Sequence, residues 1–164
     1  MSVALLMGSD SDFPRLEACV NALRKLDIPF EARVLSAHRT PAQLVEFVET
    51  APERGVQVFL CAAGGAAHLA GVVAAHTDLP VIGIPMDNPP VGGLDALLAT
   101  VQMPGGVPVA SVAVGGGGPM NAALFAARIL AVGDPELAAR YAAMREEQAV
   151  KVAAKDKALQ ARLA

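Results

Sequence analysis

A chain of 164 residues holds one compact domain, and a domain of this size buries enough surface to need neither disulfides nor a structural metal. With 54% hydrophobic, 18% charged and 4% aromatic residues, the composition excludes intrinsic disorder. A formal net charge of −3, without any Lys/Arg cluster, excludes a nucleic-acid groove, which needs a basic stripe and stacking aromatics.

Short apolar runs alternate with segments of helical period from the N-terminus onward. Residues 3–7 read as a strand that is apolar throughout. The run lacks the charged region and cleavage site of a secretory signal and is too short to span a membrane, so a cytoplasmic protein is expected. A helix is expected over 14–26, a strand over 30–35, and a helix over 41–53 that Thr40 caps and Pro41 starts. Strands at 56–61 and 81–84 flank a helix at 67–77. His68, His76, Asp78 and Pro80 interrupt this apolar stretch, which excludes a membrane span. Helices at 94–102 and 121–131 then flank a strand at 109–114. The two cysteines, Cys19 and Cys61, have neither zinc-site nor redox-pair spacing and read as buried apolar residues of a reducing compartment.

Regular alternation of this kind gives an α/β three-layer sandwich: a parallel five-stranded sheet with right-handed crossovers and helices on both faces. The expected strand order is 2-1-3-4-5, a flavodoxin-like arrangement, in a single domain over 1–164. Asp134-Pro135-Glu136 has the form of a helix start, with Asp as N-cap, and no breaker follows it. A helix of about thirty residues at 133–164 would be roughly 45 Å long, more than one small domain can cover. Its apolar stripe of Leu137, Tyr141, Met144, Val152 and Leu159 is expected to dock partly on another subunit.

In such a sheet, ligands bind beyond the carboxyl ends of the strands, near the switch between strands 1 and 3. Nearly all the unusual residues fall in the loops at that edge. Gly8-Ser9-Asp10-Ser11-Asp12 combines small residues with hydroxyls beside a helix start, which suits a phosphate; Asp12 either accepts from a sugar or caps the helix. Ser36-Ala37-His38-Arg39-Thr40-Pro41 places a phosphate fork, Arg39, next to an imidazole, the side chain that titrates near neutrality. Ala63-Gly64-Gly65-Ala66-Ala67-His68 offers bare backbone on which a flat ring could rest. His68 and His76 read as structural, and Gly115-Gly116-Gly117-Gly118 as a flexible turn. No spacing suggests a metal cage.

Read together, these segments resemble the class I N5-carboxyaminoimidazole ribonucleotide mutases of bacterial purine biosynthesis. The resemblance rests on residues 8–12, 36–41 and 63–69, on Gly93-x-Asp95, on Val101-Gln102-Met103-Pro104 with Gly106-Val107-Pro108-Val109, and on Asn121-Ala122-Ala123-Leu124. It implies a cofactor-free transfer of a carboxylate from an exocyclic nitrogen to carbon 4 of an aminoimidazole ribonucleotide, with CO₂ as transient intermediate. It implies His38 as general acid/base, Asp12 at the ribose, and Arg39 at the phosphate with Ser11 and Ser36. Ser9 would also bind the ribonucleotide, and Ala63, Gly64 and Gly65 would line the base and carboxylate. A homo-octamer without nucleic-acid or membrane partners is likewise implied.

Three positions depart from the family pattern. Asp87-Asn88-Pro89-Pro90-Val91 stands where Ser-x-x-Leu is usual, Ala96 replaces a Ser, and the glycine tetrad lacks a Lys. The alternatives are an aminoimidazole ribonucleotide carboxylase that uses CO₂ directly and a flavodoxin-like binding module without enzymatic activity. A phospho-receiver would need an acceptor Asp after strand 3 and a Lys after strand 5, and a flavin carrier would need aromatics around the ring. The chain has none of these.

Overall fold

The computed structural model describes residues 2–163. Five strands, β1 (Ser2–Met7), β2 (Phe30–Val34), β3 (Val56–Ala63), β4 (Val81–Pro85) and β5 (Ala110–Ser111), form one parallel sheet in the order β2-β1-β3-β4-β5. The expected order and architecture are therefore observed. Six helices accompany them: α1 (Phe13–Lys25), α2 (Pro41–Glu49), α3 (Leu69–Ala75), α4 (Leu94–Val101), α5 (Gly118–Leu130) and α6 (Pro135–Leu163).

The two faces of the sheet can be read from the period-two alternation of the strands. Val3, Leu5, Met7, Val58, Leu60, Ile82 and Ile84 pack against α1, α5 and the start of α6. Ala4, Leu6, Phe59, Cys61 and Val81 pack against α2 and α3. Gly83 in β4 makes room on this second face, since a Cβ there would run into the Thr100 side chain of α4 and touch Ala70 of α3. β1, β3 and β4 are buried almost throughout, as strands covered on both faces must be.

The differences from expectation have local causes. β5 pairs over two residues instead of the six at 109–114, because an edge strand is held from one side only; beyond it Val112 N and Gly115 N still donate to Gly83 O and Pro85 O, at 3.3 Å each. α5 begins three residues earlier than 121, with Pro119 in its first turn. α2 stops at Glu49, and a separate 3₁₀ turn, Pro52–Arg54, leads into β3. Thr40 stands before α2 without capping it. Its Oγ1 instead accepts from Ser36 N at 2.9 Å and donates to Ser36 O at 3.1 Å, closing the 36–40 loop on itself.

α6 starts as expected, with Leu137 N donating to Asp134 Oδ1 at 2.9 Å. Arg140 Nε donates to Leu26 O at 2.9 Å, and Lys25 pairs with Glu147. Leu137 and Met144 are buried in the core, whereas 145–163 are exposed throughout. Among the described residues, no helix is long and apolar enough to cross a membrane.

Candidate active site

Parallel β1 and β3 are hydrogen-bonded neighbours, so the loops that leave their carboxyl ends converge, and β2 on the far side of β1 brings in the 36–40 loop. The three loops enclose a cavity of about 440 Å³, within the range of small-molecule sites. Ser9, Ser11, Asp12, Ser36, His38, Arg39, Ala63 and Gly64 all line it. Gly65 is not part of the wall. Its φ of 61° turns the chain behind Gly64 instead.

After β1, residues Asp10–Asp12 form a 3₁₀ turn capped by a hydroxyl: Ser11 N donates to Ser9 Oγ at 3.3 Å. The Ser9 and Ser11 hydroxyls lie 2.8 Å apart. Asp12 occupies the N-cap position of α1 but makes no capping hydrogen bond, so its carboxylate is left for the cavity. Burial pushes that carboxyl above the ordinary carboxylate range, against the opposing pull of Arg15, 3.7 Å away.

Arg39 is aimed at the same turn, since its Nη2 donates to Gly8 O at 2.9 Å. Its backbone N donates to Ser36 Oγ at 3.1 Å, so the serine hydroxyl and the guanidinium stand side by side. Two serine hydroxyls from one loop, a third from the other and a guanidinium between them form a set of donors suited to a phosphate.

His38 is not solitary. Its Nε2 lies 2.8 Å from Nδ1 of His68, with the rings nearly perpendicular at 88° and their centroids 4.9 Å apart. One nitrogen of the pair carries the shared proton and the other accepts it. His68, read from the sequence as structural, thus belongs to the cavity wall. Its place in the Ala-Gly-Gly-Ala-Ala-His-Leu segment was the available signal. Asn88, from the connection after β4, also lines the cavity; it lies in the 87–91 segment whose departure from the family pattern was the available signal.

The remaining titratable candidates lie elsewhere. His76 follows α3 and faces Glu49 at 3.5 Å. Both cysteines are buried, and burial pushes the Cys19 thiol up to about 12 and that of Cys61 still higher, which leaves neither as a nucleophilic thiolate. Among the described residues, no three His, Cys, Asp or Glu side chains are grouped so as to hold a metal ion.

Comparison with known proteins gives the family. The sequence pattern of the family described as AIR carboxylase matches residues 2–151. The N5-carboxyaminoimidazole ribonucleotide mutase of Mycobacterium tuberculosis H37Rv is 52% identical over 158 residues, 96% of this chain and 90% of that protein. The enzyme of the same name from Bacillus subtilis is 49% identical over 144 residues, 88% of this chain and 89% of that one. The crystal structure of Treponema denticola PurE superposes with a TM-score of 0.84 at 29% identity, covering 96% of this chain and 97% of the other. With a single family pattern running from β1 into α6 and relatives this similar along nearly their whole length, the chain belongs to the AIR carboxylase family.

Proposed function

We propose that this chain is an isomerase of purine biosynthesis that converts N5-carboxyaminoimidazole ribonucleotide to 4-carboxy-5-aminoimidazole ribonucleotide. The mutase names of its relatives support the reading. The observation that carries it is the His38–His68 pair, 2.8 Å between nitrogens, in the same cavity as Arg39, the serines and the small-residue wall of Ala63 and Gly64.

In this reading Arg39, with Ser11 and Ser36, holds the phosphate, Ser9 completes the nucleotide site, and Asp12 accepts from the ribose hydroxyls. Ala63 and Gly64 let the ring approach the backbone, with Gly65 shaping the turn behind them. Protonated His38 donates to the carbamate nitrogen. The bond from that nitrogen to the carboxyl carbon breaks, its electrons remain on nitrogen, and CO₂ is released. Carbon 4 of the electron-rich aminoimidazole attacks the CO₂, and the now neutral His38 takes the ring proton displaced from carbon 4. The proton given first is recovered last, so the cycle balances without metal, ATP or another cofactor. His68 orients the imidazole that performs both transfers. Confinement supplies the remainder of the rate, since CO₂ must be recaptured before it diffuses away.

We further infer a cytoplasmic homo-oligomer, an octamer by the family resemblance. The surfaces such an assembly would cover are the exposed 145–163 half of α6 and the outward Leu94, Leu98 and Val101 of α4.

The test supplies carbon-labelled N-carboxylated ribonucleotide in excess unlabelled bicarbonate. Label largely retained in the 4-carboxylated product is the expected result. Extensive washout, with efficient use of the uncarboxylated ribonucleotide and CO₂, would identify a carboxylase instead.

A further inference from the structure

The connection from β4 to α4, where the sequence departs from the family pattern, is tied to the opposite wall of the cavity by one side chain. Arg15, from the first turn of α1, donates through Nη1 to Asp87 Oδ1 at 2.9 Å and to Asn88 Oδ1 at 2.8 Å, while its Nη2 lies 3.7 Å from Asp12 Oδ1. A guanidinium has donors only, so the Asn88 atom that faces it is the carbonyl oxygen. The amide nitrogen is thereby turned the other way, onto Gly64: a Cβ at Gly64 would overlap Asn88 Nδ2 and lie 2.9 Å from its Cγ. Asn88 lines the cavity, and among the described residues Nδ2 has no hydrogen-bond partner. A neutral two-proton donor is therefore held, by an arginine outside the cavity wall, over the backbone where the ring and its carboxylate would lie.

We propose that Asn88 Nδ2 is the hydrogen-bond donor to the migrating carboxylate, and that Arg15 is a positioning residue that fixes the orientation of that amide. The proposal rests on the mutase reading above and adds a specificity contact to it. The donor discriminates the carboxylated ribonucleotide from the uncarboxylated one, and it retains CO₂ between bond breaking and recapture. Because Arg15 acts through Asn88, the two side chains form one device and their losses are not additive.

The test measures, for wild type and variants, the affinity for the 4-carboxylated ribonucleotide, the affinity for the uncarboxylated one, and the fraction of carboxylate label retained during turnover. Asn88→Ala is expected to weaken the carboxylated ligand about tenfold, the scale of a hydrogen bond to a charged group. The uncarboxylated ligand should stay within about twofold, with label retention reduced. Asn88→Asp, which keeps the shape but offers an acceptor, is expected to lose more than Asn88→Ala. Arg15→Ala should reproduce the Asn88→Ala loss alone and add less than about twofold in the Asn88→Ala background. Equal weakening of both ligands in Asn88→Ala would overturn the donor role, and an undiminished Arg15→Ala effect in the double variant would overturn the positioning role. A wild type that does not convert the N-carboxylated substrate overturns the mutase reading and this proposal with it. A wild type that converts it, alongside an Asn88→Ala that matches it in all three readouts, overturns the proposal alone.

Discussion

Asp12 carries the trade between stability and binding at the level of single residues. A carboxylate sits in the cavity wall, uncommitted to capping α1, and burial raises its pKa above the unfolded value. A raised acid binds its proton more tightly when folded, so stability falls as pH rises from the unfolded pKa through the folded one. Asp12→Asn is therefore expected to raise Tm at neutral pH, with an advantage that shrinks as pH falls through the folded pKa and vanishes below the ordinary carboxylate range. The same variant should bind the ribonucleotide more weakly. Melting curves between pH 3 and 8 and a binding titration check both parts, and a Tm gain independent of pH would contradict the assignment. That the serines, Arg39 and Asp12 would meet at one edge of the sheet was legible in the sequence because their loops carry polar chemistry in unbroken runs. His68 was not, because its partner His38 lies 30 residues away and meets it only through the pairing of β1 with β2 and β3. Nor was the contact between Arg15 and Asn88, which spans 73 residues, although the 87–91 segment stood out by its departure from the family pattern.

At the level of elements, the loop between β4 and α4 ends on a residue that admits no side chain. Gly93 has φ 85°, and a Cβ there would lie 2.8 Å from Met86 O and 2.9 Å from Asp87 Cα, backbone atoms that cannot swing aside. Gly93→Ala is expected to cost about 1–3 kcal/mol in urea unfolding from the left-handed conformation alone, and to displace Asp87 and Asn88 from Arg15. A loss below about 0.5 kcal/mol, the range of neutral surface changes, would show that the loop relaxes freely. The strand order was readable from the regular alternation of strands and helices, and β1 and β3 as covered strands from hydrophobic runs that in β3 only Gln57 breaks. β5 was not, because its length depends on how far an edge strand follows β4, and Val109 and Val112 have the same residue chemistry whether paired or not.

At the level of the molecule, the 29-residue α6 divides into a docked start and a projecting remainder. Leu137 and Met144 belong to the core, so removing the whole helix would open the domain and confuse the result. Deletion of residues 149–164 keeps both, and also keeps the Lys25–Glu147 pair. This truncation is expected to fold with a near-native Tm and to sediment as a smaller assembly. An unchanged number of subunits in the sedimenting assembly would show that the projecting helix does not hold subunits together. The stripe of Leu137, Tyr141, Met144, Val152 and Leu159 was visible in the sequence; where along it the domain's own surface ends is a matter of shape that periodicity does not carry.

His38 moves the proton in a site otherwise built for binding, if the proposed reaction is the one this cavity performs. The most direct measurement compares His38→Asn with wild type in two assays on the same preparation: calorimetric titration with the 4-carboxylated ribonucleotide, and turnover of the N-carboxylated one. His38→Asn is expected to keep Kd within about threefold of wild type and to lower turnover by about 10²–10⁴, the usual worth of general acid–base catalysis. Retention of more than about a tenth of wild-type turnover, with binding intact, would remove His38 from that role.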